Sequence, residues 1–263
     1  MRKDYTAATT GETSEIEFVA RYWTEVWNKQ GGPKGGLARM TAKPEYRIMA
    51  PYLAGLPEGA RILDGGCGLG EWTIFFRRKG YQALGIDISA QTIARLLEIF
   101  PDAEFTVADI RESGLPGESF DTYFSWGVFE HFEEGLHRCV AEAFRLLKPG
   151  GLLFVTVPFD NLRHALAGAL ASGHEIVGKG APLRFYQWRL TRAELARELS
   201  IGGFVVLDLR PIHKRQGVLR FLSRTFHLRY DRFLVKAASA VLAPFVPAVA
   251  IAHMVMAVAR KPE

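Results

Sequence analysis

The stretch Arg61-Ile62-Leu63-Asp64-Gly65-Gly66-Cys67-Gly68-Leu69-Gly70-Glu71 decides how this chain is read. The apolar pair Ile62-Leu63 runs into an acid and then a dense glycine turn. Behind it, Trp72-Thr73-Ile74-Phe75-Phe76-Arg77-Arg78 has the pattern of an amphipathic helix. Strand, glycine loop and helix together form a nucleotide-type binding device. Glycine admits φ > 0 and lets a ligand approach without a Cβ in the way. The start of the following helix offers free N–H groups and a partial positive charge to an anionic group.

The spacing of the glycines selects the nucleotide. A dinucleotide loop needs G-x-G-x-x-G; from Gly66, Gly68 fits but the third position is Glu71. What stands instead is Asp64-x-Gly66-x-Gly68-x-Gly70, with Cys67 inside it. This loop resembles the first motif of the class I S-adenosylmethionine (SAM)-dependent methyltransferases. Further pieces follow in the same order. Ala83-Leu84-Gly85-Ile86-Asp87 reads as a second buried strand ending in an acid, about twenty residues past the glycines, where a doubly wound sheet puts a carboxylate within reach of a ribose. Two vicinal hydroxyls are donors, and an ionised carboxylate accepts both. The competing role for Asp87 is to cap the next helix, which Ser89 could also do.

Glu104 to Ile110 contains a third strand ending in Asp109, an acid that the resemblance implies accepts from the adenine amino group. Ile88 and Ile110, beside the two acids, go with them into the implied cofactor site. Phe120-Asp121 opens a fourth strand in the family's manner, and Lys148-Pro149-Gly150-Gly151 resembles its helix-to-strand turn. The end of the fourth strand, Ser125-Trp126-Gly127, is implied to lie against the methionine part of the cofactor and to face the acceptor. Trp126 is larger than the residue expected there. It either shapes the acceptor pocket or fills core.

At 263 residues, 48% apolar and 23% charged, the chain is one large globular domain or one domain with insertions. A net charge of +5 permits an anionic partner or a membrane surface without demanding one. Two cysteines give neither a disulfide framework nor a metal-ligand spacing, so no metal and a reducing cytoplasm are expected. No apolar segment follows Met1–Thr6, which predicts no signal peptide. The absence of an RNA-binding module or strong basic run predicts no nucleic-acid partner.

Residues 1–57 read as an N-terminal helical lid segment. Residues 1–13 are polar and expected to be mobile. Ser14 with Glu17 forms a capping box, and Ile16, Val19, Trp23, Val26 and Trp27 recur at helical spacing until Gly31–Gly36 breaks the helix. A second helix is expected from Pro44 to Leu53. The N-terminal piece either packs on the core edge or closes Tyr22 and Trp23 over the cofactor, as related methyltransferases often do.

Residues 58–212 read as the Rossmann-like core, with a variable insert at about 159–186. Glu130-His131-Phe132 carries a glu-his pair that recurs in many small-molecule methyltransferases. His131 is the best-placed general base by sequence; the competing role is a structural hydrogen-bonder. The insert holds Asn161, Arg163, His164, His174, Lys179, Arg184 and Tyr186, and the resemblance implies that it supplies acceptor contacts; a solvated surface loop is the alternative. Thr191 with Glu194 is a further capping box, and Phe204–Leu209 a sixth strand.

The segment 213–250 alternates basic residues (Arg215, Arg220, Arg224, His227, Arg229, Arg232, Lys236) with apolar ones, a pattern suited to a membrane surface or an acidic partner. Ala237 to Ala259 lacks Asp, Glu, Lys and Arg and is long enough to span a bilayer, although Pro244 and Pro247 interrupt it. Its end, 251–263, resembles the family's last, antiparallel strand.

The implied fold is α/β: a doubly wound, mainly parallel seven-stranded sheet with an antiparallel last strand. The implied activity is methyl transfer from SAM to a small or lipid-like, amphiphilic acceptor, with peripheral membrane contact through 213–250. Two other classes stay open at this point: a NAD(P)-dependent oxidoreductase, and a non-catalytic SAM-fold subunit associated with a membrane or an assembly.

Overall fold

Alternation of buried strands with amphipathic helices builds the architecture, taken here from a computed structural model that describes residues 1–7, 14–29, 37–164, 183–226 and 228–263. The chain starts with strand β1 (Arg2–Ala7), helix α1 (Glu15–Lys29) and helix α2 (Pro44–Leu53). The core then runs through β2 (Arg61–Gly65), α3 (Glu71–Arg78), β3 (Gln82–Asp87), α4 (Ala90–Ile99), β4 (Glu104–Val107), β5 (Phe120–Trp126), α5 (His137–Leu146) and β6 (Leu147–Pro158). After it come β7 (Leu183–Arg189), α6 (Arg192–Ile201), β8 (Val205–Ile212), α7 (Lys214–Thr225), α8 (Phe233–Leu242), α9 (Ala248–Ile251) and β9 (Met254–Arg260).

Seven strands form one sheet in the order β4-β3-β2-β5-β6-β9-β8, parallel except that β9 runs antiparallel to both its neighbours. Successive residues of the central strands bury on opposite faces, as a sheet covered on both sides requires. Leu63, Tyr123 and Leu153 meet Val140 and Ala143 of α5 and Leu195 of α6 on one face. Ile62, Phe124 and Phe154 meet Met49 of α2 and Trp72 and Phe76 of α3 on the other. The strand order reverses between β2 and β5, so their carboxyl ends open the crevice where such sheets bind ligands.

Two motif residues prove to be fasteners of this sheet. Asp121 accepts from the Arg61 amide at 2.8 Å and pairs with the Lys148 ammonium at 2.7 Å, joining the starts of β2, β5 and β6. Both capping boxes are present. Ser14 Oγ accepts from the Glu17 amide and the Glu17 carboxylate from the Ser14 amide, and Thr191 and Glu194 do the same at α6.

Three expectations are corrected. The polar start is not wholly irregular: β1 pairs antiparallel with β7 in a separate two-stranded sheet. For the same reason the insert is not all loop, since its end is β7. The break at 31–36, residues 8–13, His174, Lys179 and His227 lie outside the described residues. Finally, Ala237–Ala259 is no span. It folds as the end of α8, a 3-10 turn, α9 and most of β9, and among the described residues no helix is long and apolar enough to cross a membrane.

Helix α7 lies on the backbone of α9 with no room between them. A Cβ added at Gly217 would come 1.8 Å from the Ile251 carbonyl oxygen. Gly217→Ala is therefore expected to destabilise the fold by about 1–3 kcal/mol, measured by urea unfolding. An unchanged midpoint would show that the α7–α9 contact yields freely.

Candidate active site

The glycine loop is tied to the tip of β3 by backbone. The Gly66 and Cys67 amides donate to the Ile86 carbonyl at 2.8 and 2.9 Å, and the Gly68 amide donates to Asp87 Oδ2 at 2.9 Å. Asp87 Oδ1 accepts from the Ser89 amide, while Ser89 itself caps α4 through the Thr92 amide. Asp87 is thus not the cap. It is a buried carboxylate in the wall of a cavity of about 230 Å³ at the carboxyl ends of the strands.

That cavity is lined by Asp64, Gly66, Cys67 and Gly68 of the loop, by Asp87 and Ile88, by Asp109 and Ile110, and by Trp126. Eleven residues from separate parts of the chain are candidates for the cofactor site, Asp64, Gly66, Cys67, Gly68, Gly70, Asp87, Ile88, Asp109, Ile110, Ser125 and Trp126, and all but Gly70 and Ser125 meet here. Gly70 instead opens α3 at φ +69°, where a Cβ would strike Phe105 at 2.8 Å; it seats the helix on the sheet. Ser125 also points elsewhere: fully buried, it donates to the Gly65 carbonyl at 2.7 Å. Asp109 lines the cavity, but both its oxygens already accept from Arg111, whose guanidinium also reaches Glu15 and Glu134.

Electrostatically the cavity floor is a cluster of reluctant anions. Burial pushes the Asp64 carboxyl up to about 7 against the Thr73 hydroxyl bond that favours its charge, and the neighbouring Asp87 adds to the rise. Asp87 is raised as well, by burial. The Cys67 thiol is pushed well up by burial and then by Asp64 and Asp87, which disfavours its thiolate.

Helix α1 roofs the cavity with Val19, Trp23 and Trp27, the two indoles stacked at 5.1 Å. Its docking uses Glu15 on Arg111 at 3.0 Å and the Thr24 and Ser89 hydroxyls at 2.6 Å. Trp27, Trp72 and Arg111 escaped the sequence reading. The signal for Trp27 was present: it lies one turn beyond Trp23 on the same helix face.

A second cavity, of about 400 Å³, shares Trp23, Trp126 and Gly127 with the first. Tyr22 lines it, and not the first cavity, together with His131 and Tyr186. The rings of Trp23 and Tyr186 each lie 5.1 Å from that of His131, and the Tyr22 and Tyr186 hydroxyls are 3.4 Å apart. Trp126 stacks on Phe124 at 5.3 Å and also lines both cavities.

His131 is buried, which pushes its pKa down to about 4 against carbonyl contacts from Tyr186 and Gly127. Its Nδ1 lies 2.8 Å from the Tyr186 carbonyl, an acceptor only, so Nδ1 carries the proton and Nε2 keeps a free lone pair in the neutral ring. Beside it, burial raises Glu130 to about 8, a carboxyl that stays protonated at neutral pH. Other candidates from the insert are structural. Arg184 donates to the Ser14 carbonyl at the start of α1, and Asn161 to the Ala252 carbonyl.

Comparison with known proteins agrees with this geometry. The family described as methyltransferase domain matches residues 62–151, from β2 through the turn into β6. A ubiquinone biosynthesis O-methyltransferase of Rhodopseudomonas palustris is 36% identical over 223 residues, 76% of this chain and 83% of that one. The chain belongs to the SAM-dependent methyltransferases. A probable SAM-dependent methyltransferase of Mycolicibacterium smegmatis is 26% identical over 180 residues, 68% of this chain but 65% of that one. Phosphoethanolamine N-methyltransferase 2 of Haemonchus contortus, solved with SAM, shares the fold: TM-score 0.63 at 17% identity, over 97% of this chain and 62% of that one. The oxidoreductase reading falls to these matches, and SAM is the cofactor of this methyltransferase.

The first cavity fits that cofactor on its own chemistry. It offers carboxylates for hydroxyl donors, an acidic floor for a cationic ligand, and glycines that keep the loop close. A Cβ at Gly66 would stand 2.5 Å from Val128, and one at Gly68 2.7 Å from Trp27. Two outcomes are expected. Asp87→Asn, which removes charge and one acceptor, lowers S-adenosylhomocysteine affinity about tenfold or more by calorimetry; unchanged affinity would take Asp87 out of the site. His131 stays neutral down to about pH 5, since its folded pKa is depressed to about 4. Ring proton shifts assigned with His131→Ala test this, and titration near 6.5, the ordinary value, would contradict its burial.

Proposed function

We propose that this methyltransferase methylates a small, amphiphilic, lipid-like acceptor held in the second cavity, with His131 as general base. The observation that carries the reading is the shared wall: Trp23, Trp126 and Gly127 border both cavities, so a molecule in one faces a molecule in the other. Bound in the first cavity, SAM supplies a methyl activated by its sulfonium. The chain's own part is to align and to deprotonate. Aromatic walls hold the acceptor, and Nε2 of His131 takes its proton while the Tyr186 carbonyl keeps Nδ1–H in place. Alignment alone can supply on the order of 7–11 kcal/mol in well-oriented cases. The ubiquinone-pathway name of the R. palustris relative supports a lipid-like acceptor and an oxygen nucleophile.

The C-terminal helices suit delivery from an anionic membrane surface. Phe233, Leu234 and Phe245 are 80%, 76% and 82% exposed, and Arg232 and Lys236 stand exposed among them. Apolar tips ringed by cations bind interfaces through burial of area plus attraction to anionic headgroups. The chain is expected to co-sediment with vesicles containing phosphatidylglycerol and much less with phosphatidylcholine alone. Phe233→Ser with Phe245→Ser should weaken that binding about tenfold or more. Equal sedimentation of the double variant would sink the membrane part and leave the cavity reading standing.

A further inference from the structure

The second cavity carries a charge imbalance that methyl transfer does not use. Its titratable lining comprises Asp4, Glu130, His131, Arg189, Arg220, Arg224 and His253, besides tyrosines. Asp4 is already taken. It pairs with Arg189 at 2.6 Å and accepts from Gln187 at 2.9 Å. Glu130 is uncharged at neutral pH, as argued above. Behind the wall, Arg163 donates to the Gly217 carbonyl and to His164 Nε2, which also faces Arg189. An imidazole nitrogen receiving two guanidinium groups is neutral and offers no negative charge.

Arg220 and Arg224 are left over. Neither has a hydrogen bond or ion pair among the described residues, and the Nε of Arg220 is buried without a partner. Arg220 is half-buried on α7 and Arg224, one turn on, is exposed at the rim. The arginines feel one another. Arg163 is lowered to about 9, by burial first and then by Arg189, Arg224, Arg220 and Arg2. Arg220 and Arg224 are likewise lowered, by burial first, with Arg189 the largest like-charge cause for both, while Asp4 acts the other way on both and Tyr230 and Tyr186 on Arg220. Positive charge gathered in a recess whose one charged acid among the described residues, Asp4, is already paired with Arg189 is costly unless an anion completes it.

We infer that the second cavity takes its acceptor by an anionic group, a carboxylate or a phosphate, seated on the guanidinium of Arg220 with Arg224 at the rim. This rests on the reading of that cavity as the acceptor site and narrows its substrate class. Arginine's planar fork accepts either oxyanion in two parallel hydrogen bonds. The acceptor then has its anion at α7 and its nucleophilic atom toward Trp126 and Gly127, so the two must sit at different ends of the molecule. A neutral lipid-like molecule would leave Arg220 Nε unpaired.

The test is calorimetric titration of S-adenosylhomocysteine-loaded full chain with 3-hydroxybenzoate, phenyl phosphate and the uncharged methyl 3-hydroxybenzoate, with inorganic phosphate as competitor. The expected result is that at least one anion binds about tenfold tighter than the ester. Arg220→Gln should remove that advantage, Arg220→Lys restore part of it, and S-adenosylhomocysteine affinity stay unchanged in both. The stronger of the two anions identifies carboxylate or phosphate as the natural group. An ester that binds as well as the anions, no anion binding, or an advantage that survives Arg220→Gln would each overturn the inference. Wild-type protein that fails to bind S-adenosylhomocysteine would strike the cofactor site instead. The same anion series on the free protein would still decide the subsite.

Discussion

The hydrogen bond from the Gly68 amide to Asp87 is the contact on which the cofactor site depends. It closes the glycine loop onto the next strand, so the loop's path and the acid's direction are set together. The Ile86 carbonyl, accepting from both Gly66 and Cys67, holds the loop a second time. A loop fixed at these points leaves a cavity of defined shape before any ligand enters. The cost is electrostatic: Asp64 and Asp87 are both raised, by burial first, and Asp87 adds to the rise of Asp64. A cationic ligand relieves that cost, and SAM carries a sulfonium. The site is matched to its cofactor by what it withholds from water.

Polarity changes sign across Trp126. The first cavity has an acidic floor; the second has Arg220 and Arg224, without a partner among the described residues. An aromatic wall without formal charge between them limits mutual neutralisation through side-chain pairing. His131, neutral because it is buried, lines the second cavity with its proton held on the nitrogen facing Tyr186.

Parts far apart in sequence complete both cavities. The pairing of β1 with β7 brings Asp4 beside Gln187 and Arg189. The Arg111 guanidinium, held by Asp109, Glu15 and Glu134 and lying 4.1 Å over the Phe132 ring, clamps the start of α1 so that Trp23 and Trp27 cover the glycine loop. This clamp also changes the character of Asp109, whose oxygens serve Arg111 first.

Much of this was legible in the residues. The glycine loop, the acids at strand ends, the Phe120-Asp121 opening and both capping boxes are local patterns whose physics is complete within a few residues, so the sheet and its crevice could be read from them. What escaped depends on partners far along the chain. β1 is a polar strand at the edge of a small sheet, and alone it has no apolar alternation to betray it; its partner lies beyond the whole core. Gly70 and Ser125 sit inside the motif pattern yet face packing, because the turn of the backbone, not the spacing, decides which side chains reach the cavity. The roles of Asp121 and Lys148 as a sheet fastener, of Arg111 as a clamp and of Arg220 as a cation without a partner among the described residues emerge only when strands and helices are laid together. Sequence by itself determined the strand rhythm and a nucleotide-type glycine loop, since both follow from short-range steric and hydrogen-bonding rules, and the kind of ligand came with the family that the loop resembles. Tertiary structure decided which charges are paired, because pairing is a matter of distance in space.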